Sequence, residues 1–382
     1  MTIRALIVDD EPPARTRLRQ LLEQAGVSVV GEAGSAAEAL ALIHDRRPDV
    51  LFLDIEMPEV RGTSLAASLP EPRPFVVFAT AYERYAIEAF ACDATDYLLK
   101  PVNRAKLAAT IERIRQRMSR RSEVERDVAT ASALQAEMWP GVLPLIPGFD
   151  CAAASLPAAG VGGDFYDVFA LEGSTWGLLL GDVSGKGVAA GLVATAVQGR
   201  IQTAARHARL APAALAAAIN DDVFASTHGQ RYATLVYAEL DAGTRALRLV
   251  NAGHGGMQLT RASPDTEVVI VPPTGPALGL FEQTSFEEMT LSLDPGSEIV
   301  LFTDGVNEAL DADDVEFGAE RVSAMLKTHG ERSAAEQATA LLEAVRLHRG
   351  ARQWQDDVTV MVVKQISQRE PGVGSRESGV GE

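Results

Sequence analysis

The first hundred residues alternate short apolar runs with amphipathic stretches, and this alternation constrains the fold more than any other feature of the chain. The apolar runs are Ile3–Val8, Val27–Ala33, Val50–Leu53, Phe75–Ala79 and Tyr97–Leu99. Helix-like segments lie between them, among them Pro12–Gln24 and a segment that begins with the capping-box pattern Ser35-Ala-Ala-Glu38. Nearly continuous apolar strands separated by such helices indicate an α/β doubly wound fold with a five-stranded parallel sheet.

Chemically capable side chains follow these strands directly. Asp9 and Asp10 follow the first strand, Asp54 the third, Thr80 the fourth and Lys100 the fifth. Functional sites of parallel sheets lie at the carboxyl ends of the strands, so we expect these side chains to converge. The three carboxylates offer hard oxygen ligands, which suits Mg²⁺. A carboxylate beside Mg²⁺, a lysine and a hydroxyl can accept a phosphoryl group.

This order of residues, with Leu-Phe-Leu-Asp-Ile-Glu-Met-Pro at 51–58 and Gly62 beyond it, resembles the receiver domains of two-component response regulators over residues 1–118. The resemblance implies that Asp54 is the phosphoacceptor and that a sensor histidine kinase supplies the phosphate. The implied Mg²⁺ ligands are Asp9, Asp10, Asp54 and the backbone carbonyl of Glu56.

The same resemblance implies a switch around the phosphoacceptor. Lys100 would pair with the phosphate, and the Lys100–Pro101 peptide bond would be cis. Thr80 and Tyr97 would form the switch, the hydroxyl moving toward the phosphoryl group while the aromatic ring repositions. Such a switch is a local change of charge that biases a two-state element.

A helical segment without Gly or Pro runs from Asn103 to about Met138. Its apolar stripe (Leu107, Ile111, Ile114, Met118) breaks over residues 120–125. Two interpretations remain open for residues 119–144: a coiled-coil linker through which the chain forms a homodimer, and a last receiver helix extended by a solvated connector. Trp139-Pro140-Gly141 is predicted to end the helix.

After residue 144 the sequence pattern no longer alternates single strands and helices but shows runs of strands interrupted by paired helices. Predicted strands are Asp150–Leu156, Phe165–Ala170, Trp176–Leu180, Ala233–Leu240, Leu247–Ala252, Val268–Val271, Ile299–Phe302 and Val358–Lys364. Predicted helices are Gly187–Ala208, Pro212–Thr227, Ala319–Lys327 and Ser333–His348. Strands interrupted by paired helices indicate an α+β layered sandwich over residues 145–366. Residues 367–382 are rich in Gly, Ser and charge, which predicts a disordered tail.

Carboxylates recur at the ends of apolar strands in this second half. Asp164 follows a Gly-Gly pair, Asp182 enters a glycine-rich turn, Asp304 lies in Thr-Asp-Gly, and Asp356 precedes a strand. Repulsion among such groups is relieved by divalent ions, and oxygen donors with few nearby His or Cys favour Mg²⁺ or Mn²⁺ over zinc. Two such ions bind a bridging water, lower its pKa and clamp a phosphate for in-line attack.

The series Gly-Gly-Asp, Gly-Asp-x-Ser-Gly-x-Gly, Thr-Asp-Gly and Asp-Asp-x-Thr resembles the PPM-type metal-dependent protein phosphatases, specifically their SpoIIE-like branch, over about residues 145–365. Leu134–Pro140, Asn251–His254 and Gly275–Gly279 match that branch as well. The resemblance implies an α+β PPM-type phosphatase sandwich that carries two Mn²⁺ or Mg²⁺ ions. A metal-bound water would then be the nucleophile.

The ligand roles follow from the resemblance residue by residue. Asp182 would bridge both ions, with the carbonyl of Val183 as a further ligand. Asp164 would bind one ion, while Asp304 and Asp356 would bind the other.

Other polar residues near these motifs have weaker interpretations. Asp167 is expected to shape the first turn, and Asp357 to cap the start of a strand. A structural role is favoured over proton donation for His254, and a solvated lysine over a substrate ligand for Lys186. The sequence shows no arginine that can be assigned as the phosphate clamp.

Composition limits the partners and the compartment. The net charge of −17 disfavours direct nucleic-acid binding, because phosphates would be repelled. No apolar run is long enough to span a bilayer, and the N-terminus lacks signal-peptide features. The two cysteines, Cys92 and Cys151, fall in different predicted domains, which is typical of a reducing cytoplasm rather than of a disulfide framework.

These observations predict a cytoplasmic response regulator whose output is dephosphorylation of phosphoserine or phosphothreonine on a protein. By family resemblance the substrate is an anti-sigma-factor antagonist of the STAS type. The alternative is a non-catalytic adaptor that acts by binding a partner, although it would not need the complete set of four aspartates. A DNA-binding regulator is disfavoured because no DNA-binding motif follows the receiver-like segment.

Overall fold

The computed structural model describes residues 2–70, 72–81, 94–158, 160–261, 267–329 and 332–366. The chain divides into two compact units, Met1–Arg126 and Asp127–Glu382. The predicted disordered tail at 367–382 and Cys92 lie outside the described residues, so the expectations about them stay predictions. Among the described residues, no helix combines the length and the apolar content needed to cross a bilayer.

The first unit contains a five-stranded parallel sheet in the order β2-β1-β3-β4-β5, as predicted. Its strands are β1 (Arg4–Val8), β2 (Ser28–Ala33), β3 (Val50–Leu53), β4 (Phe75–Thr80) and β5 (Asp96–Leu99). Its helices are α1 (Pro12–Gln24), α2 (Ala36–Arg46), α3 (Gly62–Ala67) and α4 (Arg104–Met138), the last of which continues into the second unit.

Both faces of this sheet are covered, because consecutive strand residues point to opposite sides. On β3, Leu51 and Leu53 belong to one apolar cluster with residues of α2 and α3, whereas Val50 and Phe52 belong to another with residues of α1 and α4. The carboxyl ends of parallel strands meet at one edge of the sheet, so the residues that follow β1, β3, β4 and β5 can form a site there.

The predicted capping box at α2 forms only in part. The Ser35 hydroxyl accepts a hydrogen bond from the Glu38 N–H at 3.2 Å. The Glu38 carboxylate, however, accepts from the N–H of Gly34 at 2.8 Å rather than from that of Ser35. A complete capping box forms elsewhere, between Ser333 and Glu336 at the start of α9.

Helix α4 is anchored to the receiver-like sheet by one buried carboxylate. Asp96 of β5 accepts hydrogen bonds from Thr110 Oγ1 at 2.6 Å and from Lys106 Nζ at 3.2 Å, and it pairs with Arg113 Nη1 at 2.6 Å. Sequence reasoning missed this cluster, because a carboxylate at the start of a short strand gives no sign of which helix will cover it.

The last turns of α4 belong to the second unit and pack there. The buried amide of Gln135 exchanges two hydrogen bonds with the backbone of Gly162, at 2.8 and 3.0 Å. Ser132 Oγ donates to the carbonyl of Gly160 at 2.7 Å. This end of the helix holds the loop that leads to Asp164, and both interpretations of residues 119–144 stay predictions.

The second unit contains two antiparallel sheets, in the orders β13-β10-β9-β8-β7 and β12-β11-β14-β15-β6. The first has β7 (Phe165–Ala170), β8 (Thr175–Val183), β9 (Ala233–Asp241), β10 (Ala246–Ala252) and β13 (Met289–Ser292). The second has β6 (Phe149–Leu156), β11 (Met257–Arg261), β12 (Glu267–Ile270), β14 (Glu298–Phe302) and β15 (Val358–Gln365).

The helices of this unit are α5 (Val188–Thr203), α6 (Pro212–Thr227), α7 (Asp304–Asn307), α8 (Ala319–His329) and α9 (Ala334–Arg349), with a π-helical turn at Ala204–Ala208. The predicted helix Gly187–Ala208 therefore changes geometry after Thr203. Sequence analysis missed β11 and β13: the first is a short run after a glycine pair, and the second is an edge strand whose burial alternates.

The sheets stack on each other, and helices cover their outer faces. On β8, Leu178 and Leu180 pack between the sheets with residues such as Ile299 and Met361, while Leu179 faces α5 and α6. On β14, Val300 and Phe302 face α8 and α9. This four-layer α+β sandwich confirms the predicted fold class.

We expect the substitution Asp96→Asn to loosen the first unit. An amide keeps one oxygen acceptor but loses the charge that Lys106 and Arg113 bind, which costs about 1–3 kcal/mol of unfolding free energy. Hydrogen–deuterium exchange of the full chain should show faster exchange in β5 and in residues 104–118, with β14 and β15 unchanged. Asp45→Asn is the control, since Asp45 is exposed and pairs with Arg46 at the surface. Equal protection in the two variants would contradict the anchoring role.

Candidate functional site

The first site lies at the carboxyl ends of β1 and β3. Carboxylate oxygens of Asp9, Asp10 and Asp54 lie within 4.8 Å of one another. Lys100 Nζ lies 2.6 Å from Asp9 Oδ2 and 2.6 Å from Asp54 Oδ2. Burial raises the pKa of Asp54, the charge of Asp9 adds to this, and Lys100 opposes it. The oxygen-only donor set and its spacing fit a divalent ion such as Mg²⁺.

The loop after Asp54 requires a glycine. A Cβ atom at Gly62 would lie 2.0 Å from the Asp54 carbonyl oxygen, so no larger residue can occupy this position without moving the loop. The Gly62 N–H donates to the Ile55 carbonyl at 3.0 Å, and the Glu56 N–H donates to Asp54 Oδ1 at 3.3 Å. The loop is thus closed tightly around the phosphoacceptor candidate.

The predicted switch residues lie on β4 and β5. Thr80 is buried, and its hydroxyl has no hydrogen-bond partner among the described residues. Tyr97 is half-buried and packs against the cluster that contains Leu53. The Lys100–Pro101 peptide bond is cis, as predicted. A buried hydroxyl without a partner is a group that a new oxyanion at Asp54 could engage.

The second site joins the two sheets of the sandwich. Asp164 precedes β7 and Asp182 lies near the end of β8, and these strands pair so that the two carboxylates are neighbours. Asp304 follows β14 and Asp356 precedes β15, which pair in the same way. Both sets of carboxylates therefore lie at one end of the sandwich.

Two threonines from the second sheet bind the carboxylate of the first. Thr303 Oγ1 donates to Asp164 Oδ2 at 2.7 Å, and Thr359 Oγ1 donates to the same oxygen at 2.6 Å. Sequence reasoning did not single out these residues, although both stand inside the Thr-Asp-Gly and Asp-Asp-x-Thr motifs. Their hydroxyls join the two sheets at the candidate site.

The carboxylates of the second site interact strongly. Burial and the charge of Asp182 raise the pKa of Asp164 well above its usual range. Burial raises the pKa of Asp182 to about 7, and the charges of Asp304 and Asp356 add to the shift. Asp304 reaches solvent, yet desolvation by the surrounding protein and the charge of Asp356 raise its pKa too. A site that disfavours its own negative charge so strongly fits divalent cations.

The glycine pair before Asp164 allows the backbone to approach this cluster. A Cβ atom at Gly163 would lie 2.8 Å from the Val183 carbonyl oxygen and 3.1 Å from Asp182 Oδ1. The space that a side chain would fill thus lies against two predicted metal ligands. The donor set of carboxylates and a carbonyl oxygen suits Mg²⁺ or Mn²⁺.

Asp357 and Asp167 do not have the predicted roles. Asp357 does not cap its own strand: its carboxylate accepts from the N–H of Ala158 at 2.8 Å and from that of Gly163 at 2.7 Å. Asp167 does not shape a turn, because it lies in β7 and is bound by the amide of Gln202 on α5. The first residue holds the glycine loop in place, and the second ties a helix to the sheet.

His254 and Lys186 occupy different environments. His254 is buried, with Nε2 3.0 Å from the Phe302 carbonyl and Nδ1 3.0 Å from Thr234 Oγ1. Burial lowers the pKa of His254 to about 4, so the ring is neutral at physiological pH. Lys186 is exposed, and its ammonium pairs with Asp356 Oδ2 at 2.9 Å and donates to the Gln355 carbonyl.

The raised pKa of Asp182 predicts how pH affects the metal-free protein. The folded state binds more protons than the unfolded state between pH 4 and about 7, so this group's contribution to stability is lost as the pH rises through 7. Asp182→Asn should therefore raise the melting temperature in a chelator at pH 8 and change it less at pH 5.5. Thermal unfolding checks this, with Asp313→Asn at an exposed turn as control. An equal effect at both pH values would contradict it.

The fold of the second unit is similar to solved phosphatase structures. The SiaA-PP2C domain of Pseudomonas aeruginosa matches with a TM-score of 0.55 and 23% identity, over 64% of this chain and 98% of that one. The RsbU and RsbW domains of Rv1364c from Mycobacterium tuberculosis match with a TM-score of 0.52 and 24% identity, over 60% of this chain and 63% of that one. At these identities the likeness shows the fold alone.

The first unit is similar to curated regulators. The transcriptional regulatory protein BtsR of Escherichia coli is 51% identical over 120 residues, which are 31% of this chain and 50% of that protein. An uncharacterized response regulatory protein of Yersinia pestis is 50% identical over 114 residues, 29% of this chain and 48% of that protein. The chain thus spans about half the length of the curated relatives it matches.

Two family profiles match the two units. The response regulator receiver domain matches residues 5–112, which contain the whole first site. The Stage II sporulation protein E profile matches residues 172–365, half of the chain, and includes Asp182, Asp304 and Asp356. The chain belongs to the Stage II sporulation protein E (SpoIIE) family and carries a response regulator receiver domain in its first unit.

Proposed function

We propose that the second unit hydrolyses phosphoserine or phosphothreonine on a partner protein in a metal-dependent reaction, and that phosphorylation of Asp54 controls it. The proposal rests on one observation, which is that the two sheets are joined at a single carboxylate. Thr303 and Thr359 bind Asp164 and hold it beside Asp182. A purely structural sandwich gains nothing from buried, mutually repelling carboxylates. The partner, by family resemblance, is an anti-sigma-factor antagonist.

The residues that would hold two Mn²⁺ or Mg²⁺ ions are Asp164, Asp182, the Val183 carbonyl, Asp304 and Asp356. Such ions lower the pKa of a bound water and neutralise charge on the transferred phosphoryl group. The chain's own groups position the ligands. The two threonine hydroxyls fix one oxygen of Asp164, and the Asp357 carboxylate fixes the glycine loop before it.

His254 is assigned no proton transfer in this reaction. Its ring is neutral and both nitrogens have partners, namely the Phe302 carbonyl and the Thr234 hydroxyl. It connects the ends of β14 and β9, which carry the loops around the site. The role we propose for it is therefore structural.

The receiver would act through Asp54 and through α4, the helix that runs from the first unit into the second. Asp9, Asp10, Asp54 and the Glu56 carbonyl would hold Mg²⁺, which would supply charge neutralisation for phosphoryl transfer from a sensor histidine kinase. Lys100 bridges Asp9 and Asp54 and would be displaced toward the new phosphate. Because α4 carries residues of both units, it is the element through which the signal would pass, by a change in dimerisation or in phosphatase activity.

Removing one metal ligand should abolish the reaction. We expect Mn²⁺-dependent hydrolysis of an aryl phosphate or a phosphoserine protein by the full chain, and a loss of about two orders of magnitude or more in Asp304→Ala, because charge stabilisation by the ion contributes several kcal/mol. Asp313→Ala, at an exposed turn nearby in sequence, should retain full activity. No metal-dependent activity in the wild type, with or without a phosphoryl mimic on the receiver, would favour the adaptor instead.

Phosphorylation of Asp54 should change the phosphatase rate. Treating the full chain with Mg²⁺ and a beryllofluoride mimic should shift the activity or the oligomeric state of the wild type but not of Asp54→Asn. Thr80→Ala should retain binding of the mimic while losing most of the response, since its hydroxyl is the buried group without a partner. Unchanged activity together with an unchanged oligomeric state in the modified wild type would refute the control by Asp54.

A further inference from the structure

A small cationic pocket borders the residues proposed to hold the metal ions. It has a volume of about 100 Å³ and is lined in part by Gly305 and Asp356. Three basic side chains and one aromatic ring also line it: Lys186, Arg349, Arg352 and Trp354. The chain has a net charge of −17, so the positive charge of this pocket is opposite in sign to that of the protein as a whole.

Arg349 is the one cation of this pocket for which the described part of the chain shows no carboxylate partner. It ends helix α9, and its guanidinium carbon lies 4.4 Å from the centroid of the Trp354 ring. Its Nε is buried without a hydrogen-bond partner, and no carboxylate pairs with it among the described residues. The stacking on Trp354 holds the planar guanidinium in one orientation. A partly buried cation without an anion is expected to bind one.

The other two cations already have partners. Lys186 pairs with Asp356 at 2.9 Å. Arg352 Nη1 pairs with Asp314 Oδ1 at 2.7 Å, although the Asp314 side chain is 76% exposed, and Nη2 donates to the Ala312 carbonyl at 3.1 Å. These groups contribute positive potential, while Arg349 offers free donors.

The acidic groups of the pocket lie on the side of the proposed ions. Glu308 and Asp356 also line it, so three cations face two carboxylates. Desolvation raises the pKa of Glu308, and the charges of Asp304 and Glu316 add to this. Asp356 is itself one of the proposed ligands. The pocket thus adjoins the place where the phosphoryl group would react and keeps a net positive lining.

We propose that this pocket is the oxyanion subsite of the substrate and that Arg349 is its principal donor, an inference that rests on the proposed phosphatase function. The ligand is an oxyanion of the phosphoprotein: either the phosphoryl group itself or a carboxylate next to the phosphoserine. Both accept two parallel hydrogen bonds from a guanidinium, and Arg349 lines the pocket with such a group. The residue determines substrate binding and takes no part in bond breaking.

Kinetics on three substrates test the proposal. The variant is Arg349→Ala, and the matched control is Arg346→Ala, one turn earlier on α9 and paired with Glu343 outside the pocket. The substrates are an aryl phosphate and two phosphoserine peptides, one with and one without an acidic residue beside the phosphoserine. We expect KM to rise about tenfold with kcat little changed, because charged hydrogen bonds of this kind contribute about that factor. Arg349→Lys should restore part of the loss.

The pattern of effects identifies the oxyanion. A higher KM for all three substrates, together with weaker inhibition by inorganic phosphate, assigns the pocket to the phosphoryl group. A higher KM for the acidic peptide alone assigns it to the flanking carboxylate. If Arg349→Ala matches Arg346→Ala on every substrate while the wild type is active, the subsite is refuted and the phosphatase stands.

A binding measurement separates this inference from the proposed catalysis. Titration calorimetry of the full chain with Mn²⁺ present measures the affinity for inorganic phosphate and for both phosphopeptides without turnover being needed. Binding that depends on Arg349 in a wild type without hydrolysis would support the pocket and overturn the phosphatase. Binding to neither phosphate nor peptide would overturn both. If the melting temperature falls in Arg349→Ala, Arg349→Gln, which keeps much of the stem but removes the charge, replaces it in each comparison.

Discussion

Repulsion among carboxylates brought together by the fold is the constraint on which the second unit depends. Asp164 and Asp182 meet because β7 and β8 pair, and Asp304 and Asp356 meet because β14 and β15 pair. The same pairing that builds the sheets thus concentrates negative charge at one end of the sandwich. The threonine hydroxyls stabilise one carboxylate and Lys186 pairs with Asp356, yet burial and the neighbouring charges still raise the pKa of Asp182 to about 7. Such a site lowers the stability of the metal-free folded protein but allows it to hold cations.

Carboxylates also repel one another in the first unit, where fewer of them meet and a lysine offsets part of the repulsion. Lys100 bridges Asp9 and Asp54, so an internal cation offsets part of the repulsion at the ends of β1 and β3. A lysine can move away when a phosphoryl group arrives, whereas the threonines of the second unit are fixed inside strand-end hydrogen bonds. The difference suits a site that must change state in one unit and a site that must stay preorganised in the other.

Charge also explains how an acidic chain could handle a phosphorylated partner. The strongly negative surface favours neither phosphate nor an acidic protein at long range. Recognition of the proposed substrate would therefore be local, through ions that the carboxylates would hold and through the few cations placed beside them. The stacking of Arg349 on Trp354 provides such a cation at the end of α9, a helix whose start is secured by the Ser333–Glu336 capping box.

The sequence by itself determined the classes of both folds and most of the candidate ligands. Apolar runs followed by Asp9, Asp54, Thr80 or Lys100 specify strands and their carboxyl ends, because hydrophobic periodicity is a local property of the sequence. It could not determine which distant groups meet. The anchoring of α4 by Asp96, the clamp of Thr303 and Thr359 on Asp164 and the tie of Asp357 to the glycine loop all join separate elements of the chain. Only the tertiary structure decided those contacts, since burial and pairing across sheets depend on where the chain returns rather than on any local pattern.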